Sequence, residues 1–120
     1  MSKKNSPTVT DIVTPSVVAN INSTEYQLCF DFNAMASAEQ LTGLNLLRAL
    51  DFKNINTVTF RALLYAALLH YQPDTTLESA GSLVTAATAP DLMNKVVKAY
   101  IVSQPEEDED LKNVQTPEKN

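Results

Sequence analysis

The chain is poor in the residues from which reactive and ligand-binding sites are built. Its 120 residues include no tryptophan, two glycines, one cysteine and one histidine. His70 and Cys29 alone cannot make the four-ligand set of a zinc site, and no serine lies in a GxSxG elbow. Gly43 and Gly81 are too far apart to form a phosphate-binding loop. We therefore expect a protein that is not an enzyme and has no metal, cofactor or small-molecule substrate.

Long apolar runs are also missing. No stretch approaches the roughly 18 residues of a membrane helix, and the first seven residues lack the apolar segment of a signal peptide. The lone Cys29 cannot form an internal disulfide, which suits a reducing compartment. These absences predict a protein that stays in the cytoplasm and does not associate with membranes.

Positive charge is sparse and scattered. The net charge is −5 at pH 7, of which residues 105–120 contribute −4 through six acids and two lysines. The rest of the chain is therefore nearly neutral. Nucleic-acid binding needs a basic stripe that displaces counterions from phosphates, so we expect no nucleic-acid partner.

Composition divides the chain into one domain with two tails. Residues 1–16 are rich in Ser, Thr and Asn, contain Pro7 and Pro15 and show no periodicity, which predicts a flexible arm. Residues 105–120 carry the run Glu106–Asp110, which is typical of a disordered acidic tail. Residues 17–104 then form a single domain, in keeping with the size of one core.

The domain begins with a period-two pattern. Apolar residues alternate on both sides of the polar segment Asn22–Thr24, which predicts a β-hairpin with one buried face. The residues expected on that face are Val17, Ala19, Ile21, Tyr26, Leu28, Phe30 and Phe32, with Gln27, Cys29 and Asp31 facing the other way. A lone hairpin is marginal in water, so it should pack against helices.

Helical signals follow to the end of the domain. Asn33 predicts the N-cap of a short helix through Leu41, which Gly43 ends in the left-handed conformation. A second short turn is expected over Leu44–Leu50, and 51–56 should be a connection. The strongest helix runs from Thr57 to Tyr71. It has an apolar stripe at Phe60, Leu63, Leu64, Ala67, Leu68 and Tyr71.

Two further helices complete the prediction of a mostly α fold, a small domain of four to five helices with an N-terminal β-hairpin. Thr75 and Glu78 have the spacing of a capping box. The helix that they begin has its apolar face at Leu77, Ala80, Leu83, Val84 and Ala87, with a bend or a close helix contact at Gly81. Pro90 indicates the first turn of the last helix, whose apolar face is Leu92, Met93, Val96, Val97 and Tyr100.

The Thr57 helix has a second apolar row. It consists of Val58, Ala62, Tyr65, Ala66 and Leu69. A helix that is apolar nearly all round either lies at the centre of a core or presents one face to a partner, and the sequence leaves both alternatives open. On the second alternative, Val58, Tyr65 and Leu69 are the candidate partner-binding residues.

The sole histidine and the sole cysteine have structural interpretations. His70 lies near a helix C-terminus, where its partial positive charge is favourable. A nucleophilic cysteine needs a neighbouring base or a helix N-terminus, and the sequence identifies neither for Cys29. We expect both residues to be structural.

The order of these segments resembles the tail assembly chaperones of long-tailed bacteriophages. The similar segments begin with Tyr26-Gln-Leu-Cys-Phe-Asp-Phe-Asn-Ala, which leads into the first predicted helix. Thr42-Gly43 ends that helix. The similarity continues through Phe60-Arg-Ala-Leu-Leu-Tyr-Ala-Ala-Leu-Leu69 and the Thr75-Thr-Leu-Glu78 helix start to Ala99-Tyr100. It covers about residues 17 to 102 and departs at Ser37-Ala38, where such proteins often have further acidic or leucine residues.

The resemblance implies a non-enzymatic role in tail morphogenesis. Such chaperones bind the tape-measure protein, whose long apolar helices would otherwise aggregate, and bring tail-tube subunits to it in the host bacterial cytoplasm. The alternative is a small structural subunit of a phage head or tail, or a bacterial helical adaptor, that uses the same apolar face for permanent assembly. The sequence leaves the oligomeric state open.

Overall fold

The computed structural model describes residues 15–48 and 51–104, with the backbone alone at residue 52. Within these ranges the chain forms a β-hairpin followed by four α-helices, which confirms the predicted mostly helical class. The elements are β1 (Ser16–Ile21), β2 (Thr24–Cys29), α1 (Phe32–Thr42), a short 3-10 helix (Phe52–Asn54), α2 (Thr57–Leu69), α3 (Leu77–Ser82) and α4 (Ala89–Ser103). Residues 1–14 of the predicted arm and the predicted tail at 105–120 lie outside the described residues, while Ser16 already belongs to β1.

The hairpin closes through a two-residue turn. β1 and β2 are antiparallel, with Val17 opposite Leu28 and Ile21 opposite Thr24. Asn22 and Ser23 have φ angles of 53° and 68°, the two positive values that a type I′ turn requires. This turn follows the right-handed twist of the strands, so the polar segment fixes their register.

The hairpin buries most of its predicted face. Leu28 and Phe30 are buried and Tyr26 is half-buried, as expected. Two placements were wrong. Phe32 is 67% exposed because the strand ends at Cys29 and Phe32 opens α1 instead of continuing the alternation. Cys29, expected on the polar side, is buried.

Helix α1 is capped at both ends. Its N-cap is Asp31, whose Oδ1 accepts a hydrogen bond of 2.8 Å from the Ala34 N–H, so the prediction of Asn33 as the cap was wrong by two residues. Gly43 has φ 78° and its N–H donates to the Glu39 carbonyl, which confirms the predicted left-handed stop.

The connection after α1 is held by side chains from two helices. The Glu39 carboxylate accepts from the Leu46 N–H at 2.8 Å, and the Tyr100 hydroxyl donates to the Leu46 carbonyl at 2.6 Å. Leu46 is itself fully buried. The expected turn is present at 46–48, whereas residues 49 and 50 lie outside the described part.

Helix α2 lies at the centre of the domain. Asn56 caps it by accepting from the Thr59 N–H at 2.8 Å, and seven of its 13 residues are buried. It contacts α1, α3, α4 and β2. The helix ends at Leu69, two residues earlier than predicted. Tyr71 therefore lies beyond the helix and is 39% exposed instead of completing the apolar stripe.

Helix α3 begins one residue later than predicted. The capping box pairs Thr76 with Ser79: the Ser79 N–H donates to Thr76 Oγ1 at 3.0 Å, and the Thr76 N–H donates to Ser79 Oγ at 2.8 Å. Thr75 instead donates through its hydroxyl to the Gln72 carbonyl. Because α3 ends at Ser82, the predicted helical positions Leu83, Val84 and Ala87 fall in the following loop, where Ala87 is exposed.

Helix α4 closes the core as predicted. Pro90 lies in its first turn, and Leu92, Val96 and Tyr100 are buried. The ring of Tyr100 meets the ring of Phe30 edge to face, with centroids 6.0 Å apart. The hairpin is thereby joined to the last helix. None of the helices that the structure describes is long and apolar enough to cross a membrane.

Candidate functional site

A groove of about 760 Å³ runs between α2, α3 and the start of α4. Its lining is mainly apolar and carries one cation, Arg61, and one anion, Glu78. The other lining residues are Thr57, Val58, Phe60, Leu77, Gly81, Ser82, Val84, Thr85, Ala86 and Ala89. The charges balance, so the groove suits an apolar ligand better than a highly charged one.

Short-range hydrogen bonds shape the walls of the groove. The capping box at Thr76 and Ser79 fixes the start of α3. After α3, Thr85 and Thr88 bond each other reciprocally: the Thr85 N–H donates to Thr88 Oγ1 at 2.9 Å and the Thr88 N–H donates to Thr85 Oγ1 at 3.2 Å. Such side-chain bonds to backbone satisfy groups that no helix satisfies. The 84–89 wall is therefore a defined turn.

Gly81 lets α3 approach α2. A Cβ atom at position 81 would lie 3.1 Å from the Cδ of Arg61, which is closer than ordinary van der Waals contact. The predicted close helix contact at Gly81 is therefore confirmed. The aliphatic part of the Arg61 side chain lies against Gly81, and both residues line the groove.

The second apolar row of α2 is buried in its middle and open at its start. Ala62 and Ala66 are 3% and 0% exposed, Tyr65 and Leu69 are half-buried, and Val58 is 65% exposed. Of the three candidate partner-binding residues, only Val58 lines the groove. The three residues share one helix face, as their spacing predicts, but Tyr65 and Leu69 lie outside the groove that Val58 lines.

The sequence did not reveal the groove itself. Its walls bring α2 together with residues some twenty to thirty positions later in the chain, and spacing within one helix carries no signal of that juxtaposition. Gly81 was the only local indication, because glycine inside a helix often marks a close contact.

His70 makes a contact that the sequence did not identify. Its Nδ1 lies 3.0 Å from Oδ2 of Asp31, and the ring packs edge to face against Tyr71 with centroids 4.6 Å apart. Asp31 therefore caps α1 with one oxygen and pairs with the end of α2 through the other. The pair ties two helix ends together, in keeping with the structural role expected for His70.

Cys29 is in an unreactive environment. Burial, with a smaller contribution from the nearby Asp31 carboxylate, raises the pKa of the Cys29 thiol above its ordinary value of 9.0. A raised pKa keeps the thiol protonated at neutral pH, and the thiolate is the nucleophilic form. The structural interpretation of Cys29 agrees with this placement.

The residues at 15–48 and 51–104 contain no group of three or more His, Cys, Asp or Glu side chains that could hold a metal ion. The groove between α2, α3 and α4 has the shape to receive a ligand. Comparison of the chain with protein-family models, with curated proteins and with solved structures gives no match.

Proposed function

We propose that this protein is a non-enzymatic tail assembly chaperone of a long-tailed bacteriophage. It binds apolar helices of the tape-measure protein in the host cytoplasm and helps to recruit tail-tube subunits. The observation that carries the proposal is the open apolar groove between α2, α3 and α4, with Val58 exposed on its wall.

An amphipathic helix fits the chemistry of this groove. Helix-in-groove recognition uses apolar anchors at i, i+3, i+4 and i+7 that enter a cleft between helices. Val58, Leu77 and Val84 supply apolar walls from three different segments. Arg61 and Glu78 can bond polar groups at the margins of the docked helix. Covering such a helix shields the apolar surface that drives aggregation.

Val58 is the main anchor in this proposal, and Tyr65 and Leu69 extend the contact. The three residues share one face of α2, where Val58 and Tyr65 are seven positions and about 10 Å apart along the axis. Tyr65 and Leu69 keep part of their surface accessible. A partner helix of several turns could leave the groove at its α2 side and run over them.

The test is Val58→Lys in a pull-down with an apolar tape-measure segment. Loss of a central anchor commonly costs more than about 2 kcal/mol, which corresponds to a roughly thirtyfold weaker affinity. The melting temperature should change little, because Val58 is 65% exposed. Ala86→Trp offers a neutral second variant, since a large ring at this exposed lining position would fill the groove.

Ile101→Lys is the matched control. Ile101 is a β-branched residue that is 53% exposed on α4 and does not line the groove, so this variant should fold and bind like the wild type. Tyr65→Asp and Leu69→Glu should keep the native fold and should capture less of the tape-measure segment. If they unfold the chain, these two residues belong to the core and the binding surface is restricted to the groove.

Two results would contradict the proposal. One is unchanged capture by folded Val58→Lys and Ala86→Trp variants, which would exclude the groove. The other is recovery of the protein from finished virus particles, because a chaperone leaves the assembly, whereas the alternative structural subunit remains in it.

A further inference from the structure

Within residues 15–48 and 51–104, one edge of the hairpin is covered and the other is open. On β2, the side chain of Gln72 binds the outward-facing backbone of Gln27. The Gln27 N–H donates to Gln72 Oε1 at 3.0 Å, and Gln72 Nε2 donates to the Gln27 carbonyl at 3.0 Å. A side-chain amide thus replaces the neighbouring strand that β2 lacks.

The backbone of β1 points outward at the matching positions. Val18 lies opposite Gln27, and opposite residues of an antiparallel pair direct their N–H and C=O groups either both toward each other or both away. Because the Gln27 groups face Gln72, those of Val18 face away from β2, and so do those of Asn20 two residues on. Among the described residues, no group hydrogen-bonds the backbone of Val18 or Asn20.

In its own sequence and register, β1 lacks several of the features that protect a strand edge against pairing. Folded proteins guard exposed edges with lysine, with inward-pointing charges, with bulges or with proline inside the strand. The strand Ser-Val-Val-Ala-Asn-Ile contains no charged residue and no proline, and its pairing with β2 is continuous, without a bulge. Val18 adds an apolar side chain that is 44% exposed. The edge is therefore suited to receive another strand.

We propose that β1 pairs antiparallel with β1 of a second copy of this chain, around a two-fold axis at Val18. In that register Val18 lies opposite Val18 of the other copy and Ser16 lies opposite Asn20. Each outward donor then meets an acceptor, and the two hairpins form one continuous four-stranded sheet. Closed two-fold pairing is also the commonest form of self-association.

The length and the charge of the edge favour a second copy as the occupant. Pro15, which has no N–H, precedes the strand, and the positive-φ turn at Asn22 and Ser23 follows it. The available edge is therefore one short strand, which a second β1 matches in length. The chain has a net charge of −5, yet β1 has no charge, and Glu25 lies opposite Asn20 on β2, one strand away from the contact.

Substitution of Val18 by lysine in one variant and by glutamate in another tests this pairing in the full chain. Two short strands bury less than the roughly 1,200 Å² of a standard interface, so sedimentation velocity should show a dimer whose fraction rises with concentration. Val18→Lys or Val18→Glu places like charges directly opposite each other, which disfavours cross-strand pairing. Each variant alone should associate about tenfold or more weakly. An equimolar mixture of the two should recover the dimer, now as a heterodimer.

Val18→Thr is the neutral control and should dimerise like the wild type, because it keeps both the backbone groups and the β-branched shape. All three variants should keep the wild-type melting temperature at a concentration where the chain is monomeric. Amide hydrogen exchange at Val18 and Asn20 should slow as the dimer forms.

Three outcomes would overturn the pairing: a full chain that is monomeric at every concentration, a dimer that Val18→Lys leaves unchanged, or a Lys and Glu mixture that stays monomeric. The first would also be the result if residues 1–14 or a different protein occupied the edge. Since Val18 is not part of the groove, none of these results bears on the proposed function.

Discussion

Replacement of Phe30 by alanine tests how the hairpin is joined to the helices. Phe30 is 1% exposed, and its ring meets Tyr100 of α4 edge to face at 6.0 Å with an interplanar angle of 84°. Truncation of a buried phenylalanine removes its transfer free energy and leaves a cavity, which together cost about 3–5 kcal/mol. Loss of the aromatic pair is part of that cost.

The effect should be large relative to the whole stability of the domain. Small domains unfold with about 5–15 kcal/mol, and each kcal/mol shifts the melting temperature of a domain of this size by about 4–8 °C. A decrease of roughly 12 °C or more is therefore expected. Urea unfolding followed by circular dichroism should show a lower midpoint with an unchanged m-value, since the surface exposed on unfolding stays similar.

Phe32→Ala is the matched control. It makes the same chemical change two residues away, but Phe32 is 67% exposed in the first turn of α1. Its cost should remain within about 0.5 kcal/mol, as for most surface substitutions. Equal losses of stability for the two variants, or a Phe30→Ala melt that overlays the wild type, would refute the packing of the strand described above.

Two further substitutions test Cys29 and Gln72. Because the folded pKa of the Cys29 thiol is raised above 9.0, the unfolded chain ionises first. The free energy of unfolding should be unaffected by this group below about pH 9 and should fall as the pH rises further. In urea titrations, Cys29→Ala should lose less unfolding free energy at alkaline pH than the wild type. Identical losses for the two proteins would contradict the burial of Cys29. Gln72→Ala removes three hydrogen bonds, two to the Gln27 backbone and one to the Leu68 carbonyl. It should cost about 1–3 kcal/mol and accelerate amide exchange at Gln27, whereas unchanged exchange would mean that this edge is covered by something else.

The secondary-structure elements that the sequence predicts well are those with a repeated hydrophobic pattern. The period of two over β1 and β2 predicted the hairpin, and the 3.6-residue period at Phe60, Leu63 and Leu64 predicted α2. Gly43 ends α1 as expected, because the left-handed backbone conformation at this position strongly favours glycine. These features depend on contacts within a few residues and on backbone conformation.

Cap positions were less predictable, because several residues of the same kind compete. Asp31 and Asn33 both have a suitable side chain, as do Thr75 and Thr76. In the structure Asp31 is the cap, and its Oδ2 lies 3.0 Å from Nδ1 of His70, the residue that follows α2. In the capping box of α3, Thr76 exchanges hydrogen bonds with Ser79 and not with Glu78. The choice of Asp31 coincides with a partner more than thirty residues away, which local propensity does not encode.

The sequence by itself determined the class of this protein: a helical domain with a hairpin, built from short-range hydrophobic patterns. Only the tertiary structure decided which apolar faces remain accessible. It buried Ala62 and Ala66, left Val58 exposed on a groove and covered the edge of β2 with Gln72. Among residues 15–48 and 51–104, it left the edge of β1 open. The physical reason is that exposure depends on what packs opposite a residue, and that neighbour comes from a distant part of the chain.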